Sequence, residues 1–167
     1  MFAPFTIKYA ALLAMPLTAL AMPRGTISRR FDTVPFAPAT PEQGGFSVCA
    51  TKSHHNTNSL YPADMLDCLE IGTWAANNNG TWILKATTNP DDPDDWHVLL
   101  TEGHCAFLIK NAKPTSLGNK DVADMIDAIH LSDGMRLGSI EEKGTFGRCQ
   151  DGADINFWLR DSISEGE

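Results

Sequence analysis

A chain of 167 residues, 43% apolar and 20% charged, has the composition of a globular protein and the length of one domain. Thirteen Lys and Arg against 21 Asp and Glu give a net charge of −8. That balance argues against nucleic-acid binding by phosphate neutralisation and against a basic, membrane-lytic mode of action.

Lys8 is the only charge in the first 23 residues. Residues 9–20 are apolar apart from Thr18, and Ala19-Leu20-Ala21 is a small-x-small exit. This order is the pattern of a secretory signal, expected over 1–21. The run is too short to span a bilayer, which takes about 20 apolar residues, and Pro16 interrupts it. No later stretch is long and apolar enough to span, so no stable membrane insertion is expected. Residues 22–45 hold Pro23, Pro35, Pro38 and Pro41 without an apolar period, and are expected to form a flexible arm or pro-segment. Arg29-Arg30 within it is a candidate dibasic processing site. The folded domain is expected over 46–162, with a tail at 163–167.

A first strand is expected near 46–50, followed by a polar loop through Ser59. Residues 62–75 have Pro62 at a first helical position and Asp64 and Asp67 early, where the helix dipole favours anions. Met65, Cys68, Leu69 and Gly72 follow at helical spacing and form the buried stripe. The run Asn77-Asn78-Asn79-Gly80 ends this helix, and Asn79-Gly80-Thr81 is a candidate N-glycosylation sequon. Strands are expected over 82–86, and as a hairpin over 96–101 and 105–110 around Glu102-Gly103. Asn119 is placed to cap a second helix, with Asp121 and Asp124 in its first turns and Val122, Met125, Ile126 and Ile129 on one face. Asp133-Gly134 ends it. Two last strands are expected near 144–149 and 155–160. Without a βα repeat the strands pair antiparallel, and each helix has one stripe to bury. The predicted fold is α+β: an antiparallel sheet with two α-helices packed on one face, stapled by disulfides.

Four cysteines, Cys49, Cys68, Cys105 and Cys149, make two disulfides in an oxidising compartment. Helical spacing turns Cys68 to the core, and a period of two puts Cys105, Phe107 and Ile109 on one strand face. Packing the helix on that face joins Cys68 to Cys105, leaving Cys49 for Cys149. A zinc site is disfavoured because no C-x-x-C or His-x-x-x-His spacing exists.

Little else carries chemistry. His54-His55 would point apart and has no carboxylate at useful spacing. Asp91, Asp92, Asp94 and Asp95 lack calcium-loop spacing and read as an acidic turn. Asp64 and Asp67 share a helix face at glycosidase-like spacing, but helix-dipole placement explains them. Trp74, Trp82, Trp96 and Trp158 are expected to be core or semi-core. No catalytic residue, metal or cofactor is implied.

A spaced series then stands out. It runs through Asp67-Cys68, Trp82, Gly103-x-Cys105-x-Phe107 and Gly118-x-x-Asp121-Val122-x-Asp124-x-Ile126. Gly138, Gly144, Cys149 and Trp158 complete it. The series resembles the necrosis-inducing factor family of fungal secreted effectors, from about Cys49 to Arg160. The resemblance implies secretion, cysteine bridges, a role in plant cell death or virulence, and a fold related to killer toxins. It supplies no catalytic residues. The expected function is non-catalytic binding to a host or competitor target, a protein or a cell surface. A killer-toxin-like antimicrobial acting on rival microbes is the alternative, weakened by the acidic charge. A small secreted glycosidase is a second alternative.

Overall fold

A computed structural model describes residues 34–40, 45–57, 62–132 and 138–162. The signal-like stretch 1–21, Arg29, Arg30, Asp133, Gly134 and the tail 163–167 lie outside the described residues.

Helix α1, Met65–Asn77, begins where Asp64 caps it, its side chain accepting from the Leu66 N–H at 2.9 Å. This three-residue shift from the expected start at Pro62 replaces a dipole role for Asp64 with a direct hydrogen bond. Its buried face is Met65, Cys68, Ile71, Gly72 and Ala75, with Leu69 only partly buried. The last turn's carbonyls find asparagine amides. Asn77 Nδ2 donates to Thr73 O, Asn78 Nδ2 to Trp74 O and Asn119 Nδ2 to Ala75 O.

Helix α2, Asn119–Ser132, packs against α1 through Val122, Met125, Ile126 and Ile129. Asn119 is not an external cap. It is fully buried, and its Oδ1 accepts from the Phe46 and Gly80 N–H groups. Asp121, also fully buried, accepts from Gly118 N, Val48 N and Ser47 Oγ. These bonds explain why 46–50 is not the first strand of the domain: its backbone groups are spent on the start of α2.

The strands are β1 Phe36–Pro38, β2 Thr51–Asn56, β3 Ala63–Asp64, β4 Gly80–Leu84, β5 His97–Glu102, β6 Cys105–Asn111, β7 Thr115–Gly118, β8 Ser139–Ile140, β9 Glu142–Gly147 and β10 Ile155–Arg160. The class is α+β with antiparallel sheets, but the strands divide into three of them. The largest has the order β2-β9-β10-β6-β5, the next β1-β4-β7, and β3 pairs with β8. α1 lies against β5 and β6, and α2 against β7 and β4.

Five strands fall where none was expected, β1, β2, β3, β7 and β8, and the two that come from the arm and the polar loop show why. β1 comes from the proline-bearing arm, and its Phe36 ring lies 4.9 Å from Trp82 and 5.5 Å from Trp74. An edge strand tolerates Pro38 because one side of its backbone needs no partner. β2 replaces the expected polar loop: pairing with β9 satisfies its backbone, and an edge accepts polar side chains.

The disulfides are Cys49–Cys149 and Cys68–Cys105, closing separations of 100 and 37 residues. The first ties the segment entering β2 to the end of β9; the second ties α1 to β6. Under the chain-entropy account they contribute about 5 and about 4 kcal/mol.

Candidate binding surface

β10 is the middle strand of the five-stranded sheet, and its side chains alternate. Ile155, Phe157 and Leu159 are fully buried toward the core. Asn156, Trp158 and Arg160 point to the other face. Register fills in their neighbours there: Trp158 lies opposite Leu108 of β6 and Lys143 of β9, Arg160 opposite Ala106, and Asn156 opposite Lys110 and Thr145. Leu108 and Ala106 are buried on this outer face yet belong to no part of the main core cluster.

Trp158 and Trp96 lie 5.6 Å apart between ring centroids, tilted at 60°, and both remain partly exposed. Cations rest on them. Lys143 Nζ is 3.8 Å and the Arg160 guanidinium carbon 4.4 Å from the Trp158 ring, while Lys110 Nζ is 4.8 Å from the Trp96 ring. Such contacts contribute about 0.5–1 kcal/mol each at accessible sites.

Both indoles are held by their N–H groups. Trp158 Nε1 donates to Glu141 Oε1 at 2.8 Å, and Glu141 is only 2% exposed. Trp96 Nε1 donates to Pro93 O at 2.7 Å. The acidic turn therefore orients Trp96. Within that turn Asp95 Oδ2 accepts from Asn89 N, Asp92 Oδ1 accepts from Asp94 N, and the Asp92 carbonyl accepts from Lys110 Nζ. The side toward the β2 edge is polar: Thr145 Oγ1 donates to Asn156 Oδ1 at 3.0 Å, and Ser53 and His55 lie across from Thr145 and Lys143.

The other sequence-derived candidates scatter. Adjacent on β2, His54 and His55 do point apart, and His54 Nδ1 lies 3.1 Å from Glu142 Oε2. That carboxylate is brought by strand pairing from 88 residues away, beyond any sequence spacing test. Asp64 is the α1 cap, and Asp67 Oδ2 accepts from His104 N at 2.6 Å. Asn79 sits half-buried at the α1–β4 turn, its carbonyl accepting from Ala39 N. Among the described residues no group of three or more His, Cys, Asp or Glu side chains is placed to hold a metal ion.

The spaced motif residues now have physical roles. Gly103 turns at φ +49°, and a Cβ there would come within 2.3 Å of Asp67 Oδ2. Asp67-Cys68 and Gly103-x-Cys105 are thus two halves of one joint, a carboxylate bond beside a disulfide. At Gly144 a Cβ would meet Ser53 O at 2.1 Å. Asp124 pairs with Lys52 at 3.0 Å, and Trp82 is core. Trp158 alone among the aromatic motif residues is partly exposed on the outer face.

A family model described as "pathogen effector; putative necrosis-inducing factor" (Hce2) matches residues 48–149, more than half of the chain. The chain belongs to this family. No curated protein matches it. The Hce2 match runs from the residue before Cys49 to Cys149, the span closed by the longer disulfide. β10, which carries Trp158 and Arg160, follows that span. Trp96 and Trp158, expected as core or semi-core, are partly exposed, and nothing in the sequence pointed to their companions Lys110, Lys143, Arg160 and Glu141. The period-two pattern of β10 would have paired Trp158 with Arg160; Lys143 needs sheet register, and Lys110 and Glu141 need the folded chain.

Proposed function

We propose that this Hce2-family effector is secreted and acts by binding, without catalysis, a protein or cell-surface target on a host or competitor. The observation that carries the proposal is the outer sheet face, where two hydrogen-bonded, partly exposed tryptophans bear Lys110, Lys143 and Arg160. Trp and Arg are the residue types that dominate interface energetics. Fixed by Glu141, Pro93 O and the sheet, this cluster is ordered before any partner arrives, so binding loses little side-chain entropy. Two disulfides suit an oxidising, extracellular setting. The signal-like order of 1–21 agrees with export.

The test is infiltration of purified protein into leaf tissue of several plant genotypes, alongside folded Trp158→Ala and Lys143→Gln variants. Cell death or an altered defence response with the parent, lost or reduced in both variants, is the expected result. Full activity in both variants removes the outer face from the function, and inertness across many genotypes removes necrosis. Export is checked by intact mass of protein recovered from culture medium. The expected mass lacks 1–21 and lies about 4 Da below the reduced form, with no alkylation before reductant.

A further inference from the structure

The turn that joins α1 to β4 carries the run Asn77-Asn78-Asn79-Gly80. A helix end leaves its last carbonyls open, and here three carboxamides close them. Asn77 Nδ2 donates to Thr73 O at 2.8 Å, Asn78 Nδ2 to Trp74 O at 2.7 Å and Asn119 Nδ2 to Ala75 O at 2.9 Å. Asn79 differs. It is the single residue between Asn78, the C-cap of α1, and Gly80, the first residue of β4. Its backbone is held, the carbonyl accepting from Ala39 N at 2.9 Å. Its side chain is partly exposed, and among the described residues its carboxamide makes no hydrogen bond and is not sealed from solvent. The surface beside the turn is open: a groove lined by Thr73, Trp74, Asn77 and Asn78 reaches the preceding residue.

Asn79 Nδ2 is therefore a nitrogen presented on a fixed backbone with no bond to lose. Asn79 is also the one asparagine of the chain that starts an Asn-x-Ser/Thr acceptor pattern, with Thr81 partly exposed two residues on. We propose that Asn79 carries an N-linked oligosaccharide in the exported protein. The proposal rests on the export argued above, and not on the binding face. The donor is an oligosaccharide linked to a lipid diphosphate. A bond forms between the first sugar's C1 and Asn79 Nδ2, the bond from C1 to phosphate oxygen breaks, and the amide proton and lipid diphosphate leave. A sugar on Asn77 or Asn78 would crowd a bond to a helix carbonyl; on Asn79 it disturbs none. Its placement also spares the tryptophans. Cys105 of β6 bonds to α1, whereas Leu108 lies opposite Trp158, so alternation along β6 puts α1 and Trp158 on opposite faces of the sheet. An oligosaccharide rooted at the end of α1 belongs to the helix side.

The test expresses the full chain, with its own residues 1–21, in a eukaryotic secretory host and compares medium and cells by intact mass. Secreted protein is expected to show a heterogeneous excess over the polypeptide mass, lost entirely on treatment with peptide N-glycosidase. Release in heavy-oxygen water should place the label at Asn79 as it becomes Asp, which separates enzymatic release from spontaneous amide loss at Asn79-Gly80. Asn79→Gln and Thr81→Val should each be secreted without the excess. Secreted parent at the bare polypeptide mass would overturn the modification and leave export standing. Protein retained in the cells at that bare mass would overturn both. An excess that persists in both variants would place the sugar elsewhere and overturn Asn79 as the acceptor.

Discussion

On the helix side of the five-stranded sheet, Phe107, Phe146 and Phe157 lie 5.2–6.3 Å apart, and none has any exposure. On the opposite side Trp96 and Trp158 sit at a similar separation, but with exposed edges, anchored N–H groups and cations on their rings. Phe157 and Trp158 are consecutive residues, so one peptide unit separates the two environments. The inner rings have no polar atom to satisfy and are excluded from water by close packing. The outer rings keep a polar handle, and each handle is used to fix an angle at the surface. Aromatic residues thus build the fold on one face and a presentable surface on the other.

The largest effect is expected from cutting what holds both faces together. Replacing Cys49 and Cys149 by serine should remove about 5 kcal/mol, since the disulfide closes a separation of 100 residues. Chemical denaturation of the double variant measures it, and an unchanged midpoint would show that the cross-link constrains nothing. Phe157→Ala comes next, at about 3–5 kcal/mol from lost burial and the cavity left behind. A smaller loss, about 2 kcal/mol, is expected for Gly103→Ala, which places a methyl against the Asp67 carboxylate at positive φ. Adding Asp67→Ala should recover part of that loss, so the two changes will not be additive in a double-mutant cycle. Strict additivity would mean that backbone strain alone sets the cost at Gly103.

These effects bear on what the sequence could reveal. Helical periods located α1 and α2 because Met65, Cys68, Val122, Met125 and Ile129 each bury toward one side. The same faces led to the Cys68–Cys105 bond. Both expectations rest on local geometry, which sequence spacing records. The division into three sheets was not legible, because β1 and β7 are three and four residues long and owe their existence to pairing with β4. Asn119 and Asp121 were assigned to helix initiation, yet their carboxamide and carboxylate hold 46–48 from more than 70 residues away. The outer surface was half legible. Four tryptophans were expected to be core or semi-core, and they divide between the two: Trp82 is fully buried, whereas the partly exposed Trp158 is held by Glu141, a residue between β8 and β9 that only the folded chain brings to it.

The smallest effect on stability is expected at Lys143, where surface and fold separate. Lys143 lies directly across the strand pair from Trp158 and contributes only its stem and a cation to the outer face. Lys143→Gln keeps similar length and polarity while deleting the charge, so unfolding free energy should change by no more than about 1 kcal/mol. If the outer face is where the target docks, the same change should reduce the tissue response or target affinity severalfold at unchanged fold, with Trp158→Ala reducing it further. A Phe157→Ala variant studied below its unfolding transition should show the inverse: a large stability loss with the response retained in proportion to the folded fraction. Should Lys143→Gln and Phe157→Ala instead lower response and stability together, in the same ratio, the outer aromatics would be a second small core, and their partial exposure would carry no recognition.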